Sequence, residues 1–239
     1  MATPLGVMAD NHTRATPEAG DMGDCVMALG IGEAGNSCIN VVHASPDAPA
    51  VDVYLNGEVA LEGLEFANVS GWVSVPAGDY QVQVTATGED IETAVIDAEV
   101  TTEEGAAYHI AATGLLADIA PAVFQVDLSM PEDDTTARLR VLHTAPDAPA
   151  VDVAVTGGDV LVENAEFPNA SDFLDVPADT YDLEVRSTGT EDVVLEVPGV
   201  ELEAGLVYDV FAIGLLEDET LNVLVVVSTT TAPEATPEA

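Results

Sequence analysis

A twelve-residue phrase occurs twice in this chain, one hundred residues apart. It reads VHASPDAPAVDV at residues 42–53 and LHTAPDAPAVDV at residues 142–153. Self-similarity at a fixed period marks the unit of folding, and a period this long corresponds to a whole domain rather than to one turn of a solenoid. The chain is therefore expected to fold as two successive copies of one domain.

The similarity extends over most of each copy, with one residue inserted midway in the second. The aligned aromatic pairs are Phe66 and Phe167, Trp72 and Phe173, Tyr80 and Tyr181, and Tyr108 and Tyr208. These boundaries predict a disordered tail at 1–24, a cysteine-bounded segment at 25–37, domains at 38–128 and 138–228, a linker at 129–137 and a disordered tail at 229–239. The tails are rich in Thr, Pro and Glu, a composition that favours extended, solvated chain.

Short Val-rich stretches between Gly and Pro residues indicate strands rather than helices. Tyr80, Val82 and Val84 alternate with polar residues, which places them on one buried face. The strands predicted in the first copy are 38–43, 51–55, 71–75, 80–85, 93–100, 107–113 and 122–128. Seven short strands with frequent turns favour an all-β fold of two tandem immunoglobulin-like antiparallel β-sandwich domains.

Three segments together resemble a known family. They are the phrase HASPDAPAVDV, the later VPAGDY at residues 75–80, and the pattern Tyr-x5-Gly-Leu-Leu at residues 108–116. They are similar to the bacterial and archaeal domain of unknown function 4397, and two copies would cover most of the chain. The resemblance implies a secreted or envelope-attached β-domain that often occurs in tandem, and it implies no catalytic residues.

The charge balance is strongly acidic: 44 Asp and Glu residues face four Arg and no Lys, for a net charge of −40. Such a surface repels phosphate backbones and anionic membranes, so nucleic-acid binding is excluded as a function class. Three explanations of the acidity stay open: solubility, adaptation to high salt, and specific binding of Ca²⁺.

One set of titratable residues recurs within the phrase. Its members, the candidate metal ligands, are His43, Asp47, Asp52, His143, Asp147 and Asp152. The alternative interpretation is structural: Pro46 suits a type I turn that Asp47 caps, so the phrase forms a rigid corner between two paired strands. Alternation places Asp52 opposite Val51 and Val53, on the solvent face. No calcium loop of the EF-hand type is present.

Catalysis is not expected. Ser45 could act as a nucleophile with a neighbouring His, but the second copy has Ala145 there, and His109 is likewise replaced by Asp209. The chain contains no nucleophile elbow, His-Glu-x-x-His motif or phosphate-binding Gly loop. The sequence therefore predicts a protein that is not an enzyme and has no cofactor, with Ca²⁺ as the one ion considered.

Cys25 and Cys38 are the only cysteines. If oxidised, they close a loop of about 14 residues and stabilise the fold by ~3 kcal/mol. The alternative, a two-thiol metal or redox pair, lacks a Cys-x-x-Cys pattern. A disulfide favours an extracellular or cell-envelope location, although the first 20 residues show no signal peptide and no apolar segment approaches the roughly 20 residues that span a bilayer.

These observations predict a non-catalytic structural or adhesive module outside the cell or in its envelope, with a protein or envelope polymer as its unidentified partner. Exposed sheet edges, loops or the acidic surface would make the contacts. The alternative is a cation-binding or carbohydrate-binding module accessory to surface proteins. In that case the aligned aromatics would form an exposed stacking platform, whereas core packing accounts for them in a structural module.

Overall fold

A computed structural model describes residues 24–131 and 133–228. The predicted disordered tails lie outside these residues, except that Asp24 caps a short helix, α1 (Cys25–Leu29), by accepting a hydrogen bond from the N–H of Val26. No helix in these ranges is long and apolar enough to cross a membrane.

Sixteen strands make up most of the described chain. The first repeat contains β1 (Asn36–His43), β2 (Val51–Leu55), β3 (Glu58–Leu64), β4 (Val73–Pro76), β5 (Gly78–Ala86), β6 (Ile96–Thr102), β7 (Ala107–Thr113) and β8 (Ala120–Val126). The second repeat contains β9 (Thr136–His143), β10 (Val151–Val155), β11 (Val160–Ala165), β12 (Leu174–Pro177), β13 (Asp179–Ser187), β14 (Val193–Leu202), β15 (Val207–Ile213) and β16 (Asn222–Ser228). The all-β prediction is confirmed.

Each repeat forms two four-stranded sheets. The orders are β4-β1-β7-β8 and β3-β2-β5-β6 in the first repeat, and β12-β9-β15-β16 and β11-β10-β13-β14 in the second. The departure from the antiparallel prediction is that β1 pairs in parallel with β7, and β9 with β15. The chain crosses to the other sheet between these strands, so no hairpin fixes their relative direction. The immunoglobulin-like arrangement stays a prediction.

The pairing of the strands gives the repeated phrase a different structural role from the predicted one. β1 pairs with β4 and β7, whereas β2 pairs with β3 and β5. The phrase therefore does not join two paired strands, because it carries the chain from one sheet to the other. A crossing of this kind needs a fixed turn, which its two prolines provide.

The core of the first repeat lies between its two sheets. Val82 and Val84 are 2% and 4% exposed and Tyr80 packs against the same cluster, which confirms the predicted buried face. Clusters around Val151 and around Leu139 fill the corresponding space in the second repeat. Both sandwiches thus contain a Val-rich interior of the kind that period-two alternation predicts.

A disulfide joins Cys25 to Cys38 and fixes α1 on the first repeat. Both cysteines are fully buried in a cluster with Val26, Val126 and Leu128. The N–H of Cys25 also donates to the carbonyl of Gly105, at 2.8 Å. The segment that precedes β1 is therefore part of the packed structure.

The two repeats pack face to face through the sheets that contain β1 and β9. We call the buried apolar cluster between them the inter-repeat interface, and its members are Val42, Ala44, Ala111, Phe124, Leu142, Phe211, Ile213 and Val226. Equivalent strands contribute from both sides, as in the isologous contact of a two-fold dimer. The tandem repeat behaves as a dimer formed within one chain.

Candidate functional site

The two phrase histidines are fully buried and hold the crossing turn. Nε2 of His43 lies 2.9 Å from the carbonyl oxygen of Pro49, and Nε2 of His143 lies 3.0 Å from that of Pro149. A carbonyl only accepts, so Nε2 donates in each ring and carries the proton. Burial lowers the pKa of His143, against smaller opposing effects of main-chain hydrogen bonds.

The first Asp of each phrase connects the turn to the Gly-Leu-Leu segment. A carboxylate oxygen of Asp47 accepts the N–H of Leu116 at 2.7 Å. Asp147 accepts the N–H groups of Leu216 and Glu217, at 2.8 and 2.9 Å. This contact explains why the phrase and the Gly-Leu-Leu segment recur together: each carboxylate supplies acceptors to the main chain of the other motif.

The predicted solvent exposure of Asp52 is wrong. Asp52 is 5% exposed, and its carboxylate accepts the N–H of Gly63 at 2.7 Å and of Gly88 at 2.8 Å. The hydrogen bond from Gly88, and then that from Gly63, outweigh burial and lower the pKa of Asp52. Alternation along β2 predicted the face correctly, but the end of β3 and the turn after β5 fold over that face.

Asp152 occupies the same position in the second repeat. It accepts the N–H groups of Asn164 at 2.8 Å and of Gly189 at 3.1 Å, and the hydroxyl of Thr188 at 3.0 Å. The Asn164 hydrogen bond is the largest influence that lowers the pKa of Asp152. In both repeats the carboxylate therefore accepts main-chain N–H groups from the neighbouring strand and from a turn.

The structure does not gather His43, Asp47 and Asp52, or their equivalents, into a ligand set. No group of three or more His, Cys, Asp or Glu side chains that could hold a metal ion occurs in residues 24–131 and 133–228. Each candidate carboxylate already accepts at least one main-chain N–H group. The metal site stays a hypothesis.

A second set of polar residues, which sequence reasoning missed, lies buried between the repeats. Nε2 of His109 is 3.1 Å from a carboxylate oxygen of Asp209, and Nε of Arg140 donates to the other oxygen. Asp209 and His109 are fully buried, and Arg140 is 5% exposed. Arg140 also donates from Nη1 to the carbonyl of Gln125 across the interface, at 2.8 Å.

Two aromatic rings flank this buried polar cluster. Trp72 stacks on His109 with ring centroids 4.9 Å apart, and the guanidinium of Arg140 lies 4.4 Å from the centre of the Phe173 ring. Trp72 and Phe173 are equivalent residues, so each repeat provides one ring. The available sequence signal was the replacement of His109 by Asp209 within an otherwise apolar strand.

Strand edges form the third candidate surface, and β8 and β16 are edge strands of the two interface sheets. The N–H of Thr144 donates to the carbonyl of Ala212, so Ala212 turns its peptide groups towards β9. Because peptide groups alternate in direction along a strand, the N–H and C=O groups of Phe211 point towards β16, and those of its partner Leu224 point towards β15. Val225 and Val227 consequently direct their N–H and C=O groups away from the sheet.

The two equivalent edges differ in their protection. By pairing register, Pro121 of β8 is equivalent to Val223 of β16, and proline has no N–H to offer a new strand. Gln125 of β8 is equivalent to Val227 of β16, and the carbonyl of Gln125 already accepts a hydrogen bond from Arg140. Val225 and Val227 are 40% and 41% exposed, and no described residue bonds their N–H groups. The other edges carry exposed Glu or Asp residues, or are four-residue strands ending in proline.

Comparison with known proteins places the chain in a family. The model described as "Domain of unknown function (DUF4397)" matches residues 37–154 and 137–237. The chain belongs to this family. The two matches are consistent with two copies of DUF4397, and the comparison with curated proteins found no match.

Solved structures show only weak likenesses to this DUF4397 protein. The Bacillus anthracis TIE protein is 8% identical with a TM-score of 0.25, and the match covers 76% of this chain and 34% of that one. The module CBMbc of Eubacterium rectale Amy13K, solved with maltoheptaose, is 14% identical with a TM-score of 0.25 over 83% of this chain and 98% of its own. A streptococcal virulence factor that binds alpha-glucan is 11% identical with a TM-score of 0.24, over 77% and 95%. At these scores the likenesses identify no ligand.

Proposed function

We propose that this protein is a non-catalytic adhesive module outside the cell or in its envelope, and that it holds an extended polypeptide segment of a partner protein against β16. The observation that carries the proposal is the unprotected edge of β16. A free strand edge binds an extended segment through main-chain hydrogen bonds, and flanking side chains provide specificity.

The charge of the protein favours a basic partner segment. The loop before β16 exposes Glu217, Asp218 and Glu219, and the whole chain carries a net charge of −40. The strand itself has the uncharged sequence NVLVVVS. Apolar residues in the partner strand would face Val225 and Val227, and Lys or Arg residues at one end would meet the acidic loop.

The polar residues that resemble catalytic groups in type are engaged in holding the fold. Ser45 is fully buried, and the phrase carboxylates accept main-chain N–H groups. A nucleophile must reach its substrate, and a general base must be free to accept a proton. These contacts support a non-catalytic role.

The aromatic residues favour adhesion over carbohydrate binding. Tyr108 and Tyr208 are 7% and 4% exposed, and the hydroxyl of Tyr181 donates to the carbonyl of Pro177 at 2.8 Å. Tyr108 and Tyr208 thus present no stacking face to a sugar, and the other aligned aromatic rings are half-buried. The extracellular location rests on the Cys25–Cys38 disulfide, because such bonds persist in oxidising compartments.

A peptide-binding experiment tests the proposal. The probe is a fluorescent decapeptide that alternates threonine and valine and ends in two lysines, compared with the same peptide ending in two glutamates. Fluorescence anisotropy should show that the lysine peptide binds the wild-type protein. Val225→Pro, which removes an outward N–H and leaves the β15 ladder intact, should weaken this binding about tenfold or more.

The matched control is Val123→Pro, at the equivalent position of the protected β8 edge. It should leave the affinity unchanged, and Val227→Pro repeats the β16 test at a second position. Absence of lysine-peptide binding, or equal effects of the β8 and β16 variants, would overturn the proposal. So would amide-exchange protection of Val225 in the free protein. Concentration-independent protection would assign the edge to another segment of this chain, and concentration-dependent protection to a second copy.

A further inference from the structure

We infer that three positions at which the two repeats carry different residues form a pairing code. This code makes the first repeat complementary to the second repeat and incompatible with another copy of the first. The positions are 40, 109 and 111 in the first repeat and 140, 209 and 211 in the second. The partner that this face recognises is therefore a DUF4397 repeat of the opposite kind.

The argument begins with the symmetry of the contact. His109 and Asp209 are equivalent residues, one hundred positions apart, and their side chains meet at 3.1 Å. Equivalent residues touch each other only near a two-fold axis. In a pair of identical repeats with this geometry, each of these positions would meet its own copy.

Charge is the first component of the code. Two copies of the first repeat would bring His109 against a second His109, with no carboxylate between them. Asn40 would also stand where the second repeat has Arg140. Two copies of the second repeat would bring one Asp209 carboxylate against another in a buried face, each with its own Arg140 but neither with a His109 donor. Carboxylates that close repel each other unless one takes up a proton. The observed pair has one carboxylate with two donors.

Size is the second component. Ala111 and Phe211 are equivalent, both are fully buried, and both belong to the inter-repeat interface. Two alanines at this position would leave a void, and two phenylalanines would overfill a close-packed core. One small and one large residue avoid both faults, and Phe211 makes edge-to-face contacts with His109 at 5.4 Å and with Phe124 at 6.4 Å, both in the other repeat.

The code can be tested in the full chain by reversing its direction. A three-substitution chain gives the first repeat the second repeat's face, with Asn40→Arg, His109→Asp and Ala111→Phe. A six-substitution chain also gives the second repeat the first repeat's face, with Arg140→Asn, Asp209→His and Phe211→Ala. Unfolding is followed by circular dichroism with increasing temperature.

The three-substitution chain should unfold about 10 °C below the wild type or in two separate transitions, because its faces no longer match. The six-substitution chain should recover a single transition and most of the lost stability. Independent damage at six buried positions would instead make it the least stable chain, and that result would overturn the inference.

A smaller cycle covers the case in which the three-substitution chain does not fold. It compares Ala111→Phe, Phe211→Ala and the double exchange. The code requires the double variant to be more stable than either single variant. Additive losses in this cycle would contradict a size-matched pairing.

Discussion

Asp209 is ionised in an interior that by itself opposes its charge. Burial is the largest influence on the pKa of Asp209 and raises it, but the hydrogen bond from His109 and the positive charge of Arg140 outweigh burial and bring the pKa below its ordinary value. The carboxylate thus stabilises the interface only while both donors from β7 and β9 contact it.

Replacement of this carboxylate should destabilise the protein strongly at neutral pH. We expect Asp209→Asn to cost about 3 kcal/mol of unfolding free energy, because it leaves Arg140 buried without its counter-charge. Because the folded pKa of Asp209 is depressed, its contribution is fully present above the ordinary value of about 3.9 and is lost as the pH falls through the folded pKa.

Denaturant unfolding from neutral to acidic pH measures this effect. The stability difference between the wild type and Asp209→Asn should stay constant down to about pH 4 and close at lower pH. Asp218→Asn, in an exposed loop, is the control and should show a small difference throughout. A difference that already closes near neutral pH would contradict the assignment.

Asp52 allows a second prediction at this scale. Asp52→Asn keeps one acceptor oxygen, so one of the N–H groups of Gly63 and Gly88 should lose its partner, at a cost of about 1–3 kcal/mol. Thermal unfolding measures the loss, and Asp97→Asn on the exposed face of β6 is the matched control. Equal melting temperatures for the two variants would show that the hydrogen bonds that Asp52 accepts from Gly63 and Gly88 contribute nothing to stability.

The sequence predicted the identity of these residues better than their roles. The recurrence of His43, Asp47 and Asp52 marked them as important, and the structure assigns each a hydrogen bond to the main chain. Their hydrogen-bond partners lie up to 69 residues away, as with Asp47 and Leu116. Local periodicity carries no information about such distant partners.

At the scale of single elements, exposure decided what the sequence could predict. β5 alternates buried and polar residues and was predicted closely, whereas β3 was missed because most of its residues are exposed. The parallel pairing of β1 with β7 was missed as well, since strand direction depends on the crossing between sheets. The unprotected edge of β16 became visible only by comparison with β8.

The disulfide makes α1 part of the first repeat. Cys25→Ser should lower the unfolding free energy by about 3 kcal/mol, because the cross-link, which spans a sequence separation of 13, restricts the unfolded chain. Chemical denaturation with and without a thiol reductant measures this. The reductant should destabilise the wild type and leave Cys25→Ser unchanged. A reductant effect of equal size in both proteins would exclude the disulfide as its cause.

At the scale of the whole molecule, two features act against each other. The inter-repeat interface joins the sandwiches through a buried apolar cluster, while a net charge of −40 repels every part of the surface from every other. Salt should therefore raise the stability of the protein by screening this repulsion.

Thermal unfolding in CaCl₂ and in NaCl of matched ionic strength distinguishes screening from ion binding. Among the described residues no metal-ligand cluster occurs, so we expect the two salts to raise the melting temperature equally. Chelator in low salt provides the baseline. A larger shift in millimolar CaCl₂ would indicate a specific site, because a ligand that binds only the folded state stabilises it by mass action.

The two-copy architecture was predictable because a repeat is visible in what its copies share. The way the copies pack was not predictable, because it depends on where they differ. His109 and Asp209, or Ala111 and Phe211, look like lost similarity in an alignment, yet His109 contacts Asp209, and Ala111 and Phe211 both lie in the buried interface. A single sequence does not show that two unlike residues are in contact.

Trp72 gives the molecule an intrinsic optical probe. It is the only tryptophan in the chain, and its ring stacks on His109 beside the polar cluster. Selectively excited indole emission therefore arises at one place, the boundary between the repeats, without any attached label. Separation of the two halves would expose His109, on which this ring stacks, and would thereby change the surroundings and the emission of Trp72, so their docking can be followed in real time in the unmodified protein.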